Sequence, residues 1–168
     1  MNMGLNLYLK GSIVKQTKYK IRQALPEDEK EILKIAREVT DKFTRTYLGD
    51  EAVDWYINSG SCDNEIKNDI SNMLLLTENE KMIGMMIWHG DLMHLLMMDP
   101  LYHGTGAAQY FCDEIIPEKL KEFKEIRLEC FDKNERANAF YKKTGWTEYD
   151  RIQDEMTGGN RVLYMRAE

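Results

Sequence analysis

"MMDPLYHGTGAAQYFCDEII", residues 97–116, decides how the rest of the chain is read. An apolar, methionine-rich run stops at Asp99-Pro100. Gly104 and Gly106 follow, and then Ala108, Phe111, Cys112 and Ile115 recur at helical spacing. The pattern predicts a strand, a bare loop and a helix starting near Gly104. N–H groups at a helix start are unpaired and carry partial positive charge, which suits a phosphate or pyrophosphate. Glycine permits positive φ and a close approach of ligand to main chain, while Ala107 and Ala108 keep the first turn thin. On this stretch alone, a plain glycine turn fits equally well. Pro117 is expected to kink or end the helix, because proline removes a donor and crowds the preceding turn.

Upstream, "MLLLTE" (73–78), "KMIGMMIWHG" (81–90) and "DLMHLLMM" (91–98) read as three strands joined at Asn79-Glu80 and Gly90-Asp91, an antiparallel meander. Their near-continuous apolar character predicts a sheet covered on both faces. "KYKIRQA" (18–24) alternates as a first strand. Pro26 then opens a helix with Glu27, Asp28 and Glu29 in its first turn and an apolar stripe of Ile32, Ile35, Ala36, Val39 and Phe43. "GDEAVDWYINSG" (49–60) predicts a shorter helix, and residues 62–68 read as either loop or helix. Downstream, "EIRLECF" (125–131) alternates as a strand, and "NERANAFYKKTGW" (134–146) is a helix capped by Asn134 and closed by Gly145. "WTEYDRIQDE" and "RVLYMRA" flank "MTGGN" as a hairpin. Strand, helix and strand over 97–131 imply one parallel crossover. The fold class is therefore α/β (α+β): a mixed, mostly antiparallel sheet of about seven strands with helices on both faces. Residues 18–168 read as one domain, and residues 1–17 as an arm, an extra strand or a dimer contact.

The chain has 168 residues and a net charge of -6, which disfavours general nucleic-acid binding and suits a cationic partner or plain solubility. Cys62, Cys112 and Cys130 are odd in number and widely spaced, and read as free thiols in a reducing cytosol; Cys112 and Cys130 sit in apolar surroundings and read as core. His89, His94 and His103 are too few and scattered to suggest zinc, and no metal is expected. No stretch has the ~20 apolar residues of a membrane helix, and the first residues make no convincing signal peptide. A cytoplasmic location is the expectation.

"MDPLYHGTGAA" (98–108) resembles the pyrophosphate loop of the GCN5-related N-acetyltransferase (GNAT) family, V-x-P-x-Y-R-G-x-G-x-G/A, with Met98, Pro100, Tyr102, Gly104, Gly106 and Ala108 in matching places. His103 stands where arginine or glutamine is usual. "NERANAFYKKTGW" matches every position of the family's N-x-x-A-x-x-F-Y-x-x-x-G-F/W, and "IRQALPEDEKEI" (21–32) resembles its first strand and helix opening. The likeness spans about residues 19–165, in order and in register. It implies a GNAT-like fold that binds acetyl-CoA in a splay between strands 91–98 and 125–131. It also implies main-chain contacts at Leu96 and Met98, a pyrophosphate held by His103, Gly104, Thr105, Gly106, Ala107 and Ala108, and further cofactor contacts from Asn134 and Tyr141.

Acetyl transfer needs a held thioester, fixed donors for carbonyl charge, an uncharged amine and an acid for the departing thiolate. The resemblance makes Tyr141 the expected acid, a role that suits a phenol because it keeps its proton at neutral pH; from the residues alone a core tyrosine beside Phe140 is the commoner reading. Asn134 fits a helix cap, a cofactor contact or both. By alternation His94 shares a face with Leu92, Leu96 and Met98; it is the expected base where that face borders the acceptor, and otherwise a packed histidine. Glu129 and Asp91 are weaker candidates. Trp55, Tyr56, Trp88, Tyr149 and Glu148 are expected to line a pocket for a small-molecule or peptide amine. The resulting expectation is an acetyl-CoA-dependent N-acetyltransferase acting by direct attack, with a homodimer open. The competing expectation is a catalytically silent acyl-CoA-binding sensor or scaffold, to which His103 lends support.

Overall fold

The computed structural model describes residues 18–155 and 157–168, so the expectations for residues 1–17 lie outside the described residues. Strands β1 (Tyr19–Gln23), β2 (Met73–Glu78), β3 (Lys81–His89), β4 (Leu92–Met98), β5 (Glu125–Phe131), β6 (Thr147–Gln153) and β7 (Asn160–Ala167) form a seven-stranded sheet in the order β1-β2-β3-β4-β5-β7-β6. Every pairing is antiparallel except β4 with β5. The helices are α1 (Glu29–Val39), α2 (Arg45–Leu48), α3 (Asp50–Asn58), α4 (Ser61–Asn68), α5 (Ala107–Phe123) and α6 (Glu135–Lys143).

Two cores flank the sheet. On one face Phe111, Cys112, Ile116 and Leu120 of α5 and Tyr141 of α6 pack on Met86, Trp88, Met93, Ile126, Leu128 and Tyr164. On the other, Ile32, Ile35, Ala36 and Val39 of α1 and Ile66 of α4 pack on Met73, Leu75, Met85 and Ile87. Asn79 and Glu80 both take positive φ (50° and 67°), which matches the two-residue hairpin that sets the β2–β3 register. Gly84 leaves room for Met98: a Cβ there would lie 2.5 Å from the Met98 sulfur and 3.2 Å from the Met97 carbonyl oxygen, so a larger residue displaces the Met98 side chain.

Three local expectations are corrected or completed. The helix over 107–123 continues through Pro117. Asp113, whose carbonyl the proline leaves without its helical donor, is exposed to water, and buried Ile116 and Leu120 hold the helix to the sheet on either side. Residues 61–68 are helical, burying Cys62 and Ile66 one turn apart. A π-helical turn at Thr40–Thr44 interrupts the first helix, and Phe43, half-buried against the α1-side core, also lines a cleft.

Candidate active site

Beyond two ladder pairs, Leu92↔Arg127 and Met93↔Leu128, β4 and β5 part. A cleft of about 980 Å³ occupies the opening. Its walls include Val39, Phe43 and Tyr47 from the α1–α2 side and Ala108, Phe140 and Tyr141 from the α5–α6 side, so it runs through the sheet from face to face. The Asp99 N–H donates to Ile83 O (2.8 Å) on β3. Strand alternation then turns the main-chain groups of Met98 and Leu96 toward the gap, where both line the cleft.

The loop leaving β4 ends this cleft. Gly104 (φ 74°) and Gly106 (φ 88°) are left-handed and face open space. The N–H groups of Gly104, Gly106, Ala108 and Gln109 have no hydrogen-bond partner among the described residues, a nest of donors at the start of α5. Two expected members differ. The Thr105 N–H and hydroxyl both donate to Tyr102 O (3.4 and 2.7 Å), and the buried Ala107 directs its N–H to Thr105 Oγ1 (3.4 Å). Those two amides are used to close the turn.

His103 lies between two fixed partners. Arg136 Nη1 is 2.7 Å from Nδ1 and can only donate; Met98 O is 3.2 Å from Nε2 and can only accept. The ring is therefore the neutral tautomer protonated on Nε2. Burial and the Arg136 charge both push its pKa down. Arg136 also lies over the Phe43 ring, 4.7 Å from its centroid, and Phe43 meets His103 edge-on at 4.8 Å. Position 103 thus lacks a positive charge, and α6 supplies a guanidinium beside it. Lys42, Lys133 and Lys143 add cations around the same cleft in a chain of net charge -6.

Asn134 does two things at once. Its Oδ1 accepts from Ala137 N (3.2 Å), capping α6, and its amide reaches the Tyr47 hydroxyl at 3.4 Å on the cleft wall. Tyr141 is 9% exposed and packs against Phe140, Trp146 and Tyr164. Its hydroxyl has no hydrogen-bond partner among the described residues, and burial raises its pKa. Burial also pushes the Cys112 and Cys130 thiols up to about 12.

His94 corrects the strand-face expectation. Ile87 pairs with Leu95 and Trp88 with Met93, so His94 is an extra, unopposed residue in β4, a β-bulge. The bulge shifts the phase of the residues after it. Leu96 and Met98 join the α5-side core, whereas His94 sits on the α4 side with Nε2 3.4 Å from Glu65 Oε1. It lies one residue past the last β4–β5 pair, at the apex of the gap. Glu65 raises its pKa, and the Tyr56 hydroxyl bonds the other oxygen of Glu65.

The remaining candidates divide. Glu129 pairs with Arg161 (3.4 Å) and Asp91 with Arg127 (2.7 Å). Trp55 and Tyr149 are exposed. Trp88 is buried in the α5-side core, and Glu148 opposes Tyr164 and pairs with Arg151 and Lys142 of α6. Sequence reasoning missed Phe43, Tyr47 and Arg136. Arg136 fills an unspecified position of the 134–146 motif, and Phe43 belongs by spacing to a stripe that the π turn breaks.

A family model described as "Acetyltransferase (GNAT) domain" matches residues 34–167. The chain belongs to the GNAT family of acetyltransferases, and its seven-stranded sheet is the GNAT fold. Among solved structures it is similar to a GCN5-related N-acetyltransferase from Rhodopseudomonas palustris, with TM-score 0.76, 16% identity, and 90% of this chain and 97% of that chain covered. It is also similar to the PaiA N-acetyltransferase of Thermoplasma acidophilum in complex with coenzyme A, with TM-score 0.73, 17% identity, and 89% and 99% covered. The microcin C7 self-immunity acetyltransferase MccE, in complex with acetyl-CoA and AMP, aligns with TM-score 0.68 and 13% identity over 89% and 92%. No curated protein matches significantly. Among the described residues no helix is long and apolar enough to cross a membrane.

Proposed function

We propose that the chain transfers an acetyl group from acetyl-CoA to a primary amine of a small molecule or peptide by direct attack. The observation that carries this reading is the pairing of a cleft through the sheet with a nest of unpaired N–H groups and a cationic rim at one end. Acetyl-CoA would supply the activated acyl group and two ends to grip, an anionic diphosphate and a slender arm. Gly104, Gly106, Ala108 and Gln109 would receive the diphosphate, with Arg136 in place of a charge at position 103. Main-chain groups of Leu96 and Met98 would hold the arm and face the thioester carbonyl, and Asn134 would contact the arm from α6.

The proton inventory assigns two roles. Tyr141 donates its hydroxyl proton as the thiolate leaves and is reprotonated by the second proton that the nitrogen sheds when the amide forms, so the phenol ends neutral. His94, at the apex of the gap on the opposite face, accepts the proton an ammonium must lose before it attacks, directly or through one water. Opposite faces suit the reaction, since the amine and the cofactor then enter from different sides. Direct attack is favoured over a thiol relay because the Cys112 and Cys130 thiols, held near about 12, are poor nucleophiles.

The test is calorimetric titration with acetyl-CoA, followed by a mass-spectrometric screen for acetylated amines. Binding at one equivalent with turnover of at least one amine is expected. Binding without turnover over a broad panel would favour a sensor or scaffold, and no binding would remove both readings.

A further inference from the structure

Two histidines far from the diphosphate nest come together with a carboxylate. His89, at the end of β3, and His94, in the β4 bulge, lie on the same face of the hairpin with rings 4.6 Å apart and 25° from parallel. Asp69, following α4, places Oδ1 2.6 Å from His89 Nε2. One donor atom from each of the three residues lies within 4.8 Å of the other two. The three are held by separate rigid elements: β3, the bulge, and the turn after α4, where Asn72 Nδ2 donates to the same Asp69 oxygen (3.2 Å). Glu65 Oε1, 3.4 Å from His94 Nε2, is within reach of a fourth position. The group is open to solvent, with the His89 and His94 side chains 39% and 33% exposed.

We propose that Asp69, His89 and His94 form a binding site for a transition-metal dication, with Zn2+ the best fit. Two imidazoles and a carboxylate are the donors zinc prefers, whereas Mg2+ and Ca2+ favour all-oxygen sets. Tetrahedral zinc at ~2.0–2.1 Å from each donor needs donors roughly 3.4 Å apart. Binding therefore requires the 2.6 Å Asp69–His89 pair to open slightly and the remaining spacings, up to 4.8 Å, to close, by rotation of the side chains out of the ring stack. The carboxylates of Asp69 and Glu65 offset the charge of the dication. Coordination occupies the His94 nitrogen that would otherwise take a proton, so zinc held here blocks acetyl transfer. That consequence rests on the proposed role of His94, whereas the binding itself does not.

The test uses the tag-free full chain, stripped with chelator and titrated calorimetrically with Zn2+. One saturating equivalent is expected, with no response to Mg2+, and His89→Gln and Asp69→Asn each weakening binding by about tenfold or more. The two variants change different elements, so a folding defect in one, seen in its melting curve, leaves the other informative. Absence of saturable zinc binding, or wild-type affinity in the well-folded variants, overturns the site. In parallel, acetylated product is followed by mass spectrometry. Zinc should inhibit the wild type and spare His89→Gln, which retains metal-free turnover. Zinc binding that depends on His89 but leaves turnover unchanged upholds the site and removes His94 as the base.

Discussion

In the proposed cofactor site the sharpest perturbation is removal of the Arg136 side chain, because its guanidinium would supply the charge that position 103 lacks. Arg136 is exposed, so its attraction to a diphosphate charge is screened. Two unit charges about 4 Å apart interact by roughly 1 kcal/mol in bulk water and about 4 kcal/mol near a protein surface. The open setting of Arg136 and the salt of an assay buffer place the effect toward the low end, about 1–2 kcal/mol. Arg136→Ala should therefore weaken acetyl-CoA binding about 5- to 30-fold. It should also flatten the dependence of Kd on ionic strength, since one exposed attraction is gone. The double variant Arg136→Ala/His103→Arg returns a guanidinium to the same end of the cleft from the loop and should recover most of the loss. Titration calorimetry at two salt concentrations reads all three effects. Affinity within about twofold of wild type, with an unchanged salt dependence, would refute the compensation of His103 by Arg136.

Four further outcomes are expected from the geometry. Tyr141→Phe should lower kcat by about 10²–10⁴ while leaving the acetyl-CoA Kd near wild type, because only the proton donor is lost. If His94 is the base it must be neutral to act, and Glu65 raises its pKa; the acid limb of the pH–rate profile should therefore lie above the ordinary histidine value, and Glu65→Gln should move it to lower pH. Gly106→Ala puts a Cβ into open space but at φ 88°, so calorimetric melting should show a loss of about 1 kcal/mol, and the added methyl should weaken acetyl-CoA binding by intruding on the nest. Gly84→Val forces atoms against Met98 and should cost about 1–3 kcal/mol, roughly 2–12 °C in Tm, with weaker acetyl-CoA binding because Met98 lines the cleft.

Strands and helices with an unbroken period were legible in the sequence. The alternation of residues 125–131, the two-residue turn at Asn79-Glu80 and the stripe Ile32, Ile35, Ala36, Val39 all appear in the structure where their patterns place them. What the sequence concealed are places where one residue is added to a regular period. The bulge at His94 and the π turn at Thr40–Thr44 each insert a residue, and neither changes composition. Their effect is to re-aim side chains: His94 toward Glu65, Phe43 toward Arg136, Leu96 and Met98 to the face opposite that of His94. Pro117 shows the reverse case, a strong local signal overridden because its unpaired carbonyl partner faces water and the flanking side chains are buried. Long-range pairings were out of reach for a different reason. Nothing near His103 announces a guanidinium from a helix thirty-three positions on, and nothing near His89 announces Asp69.

A crystal structure of the chain with coenzyme A tests the central claim most directly. The account predicts diphosphate oxygens about 2.7–3.2 Å from the amide nitrogens of Gly104, Gly106 and Ala108, and an arm threading the gap beyond Met93 and Leu128. A diphosphate seated elsewhere, with those amides still facing solvent, would contradict it.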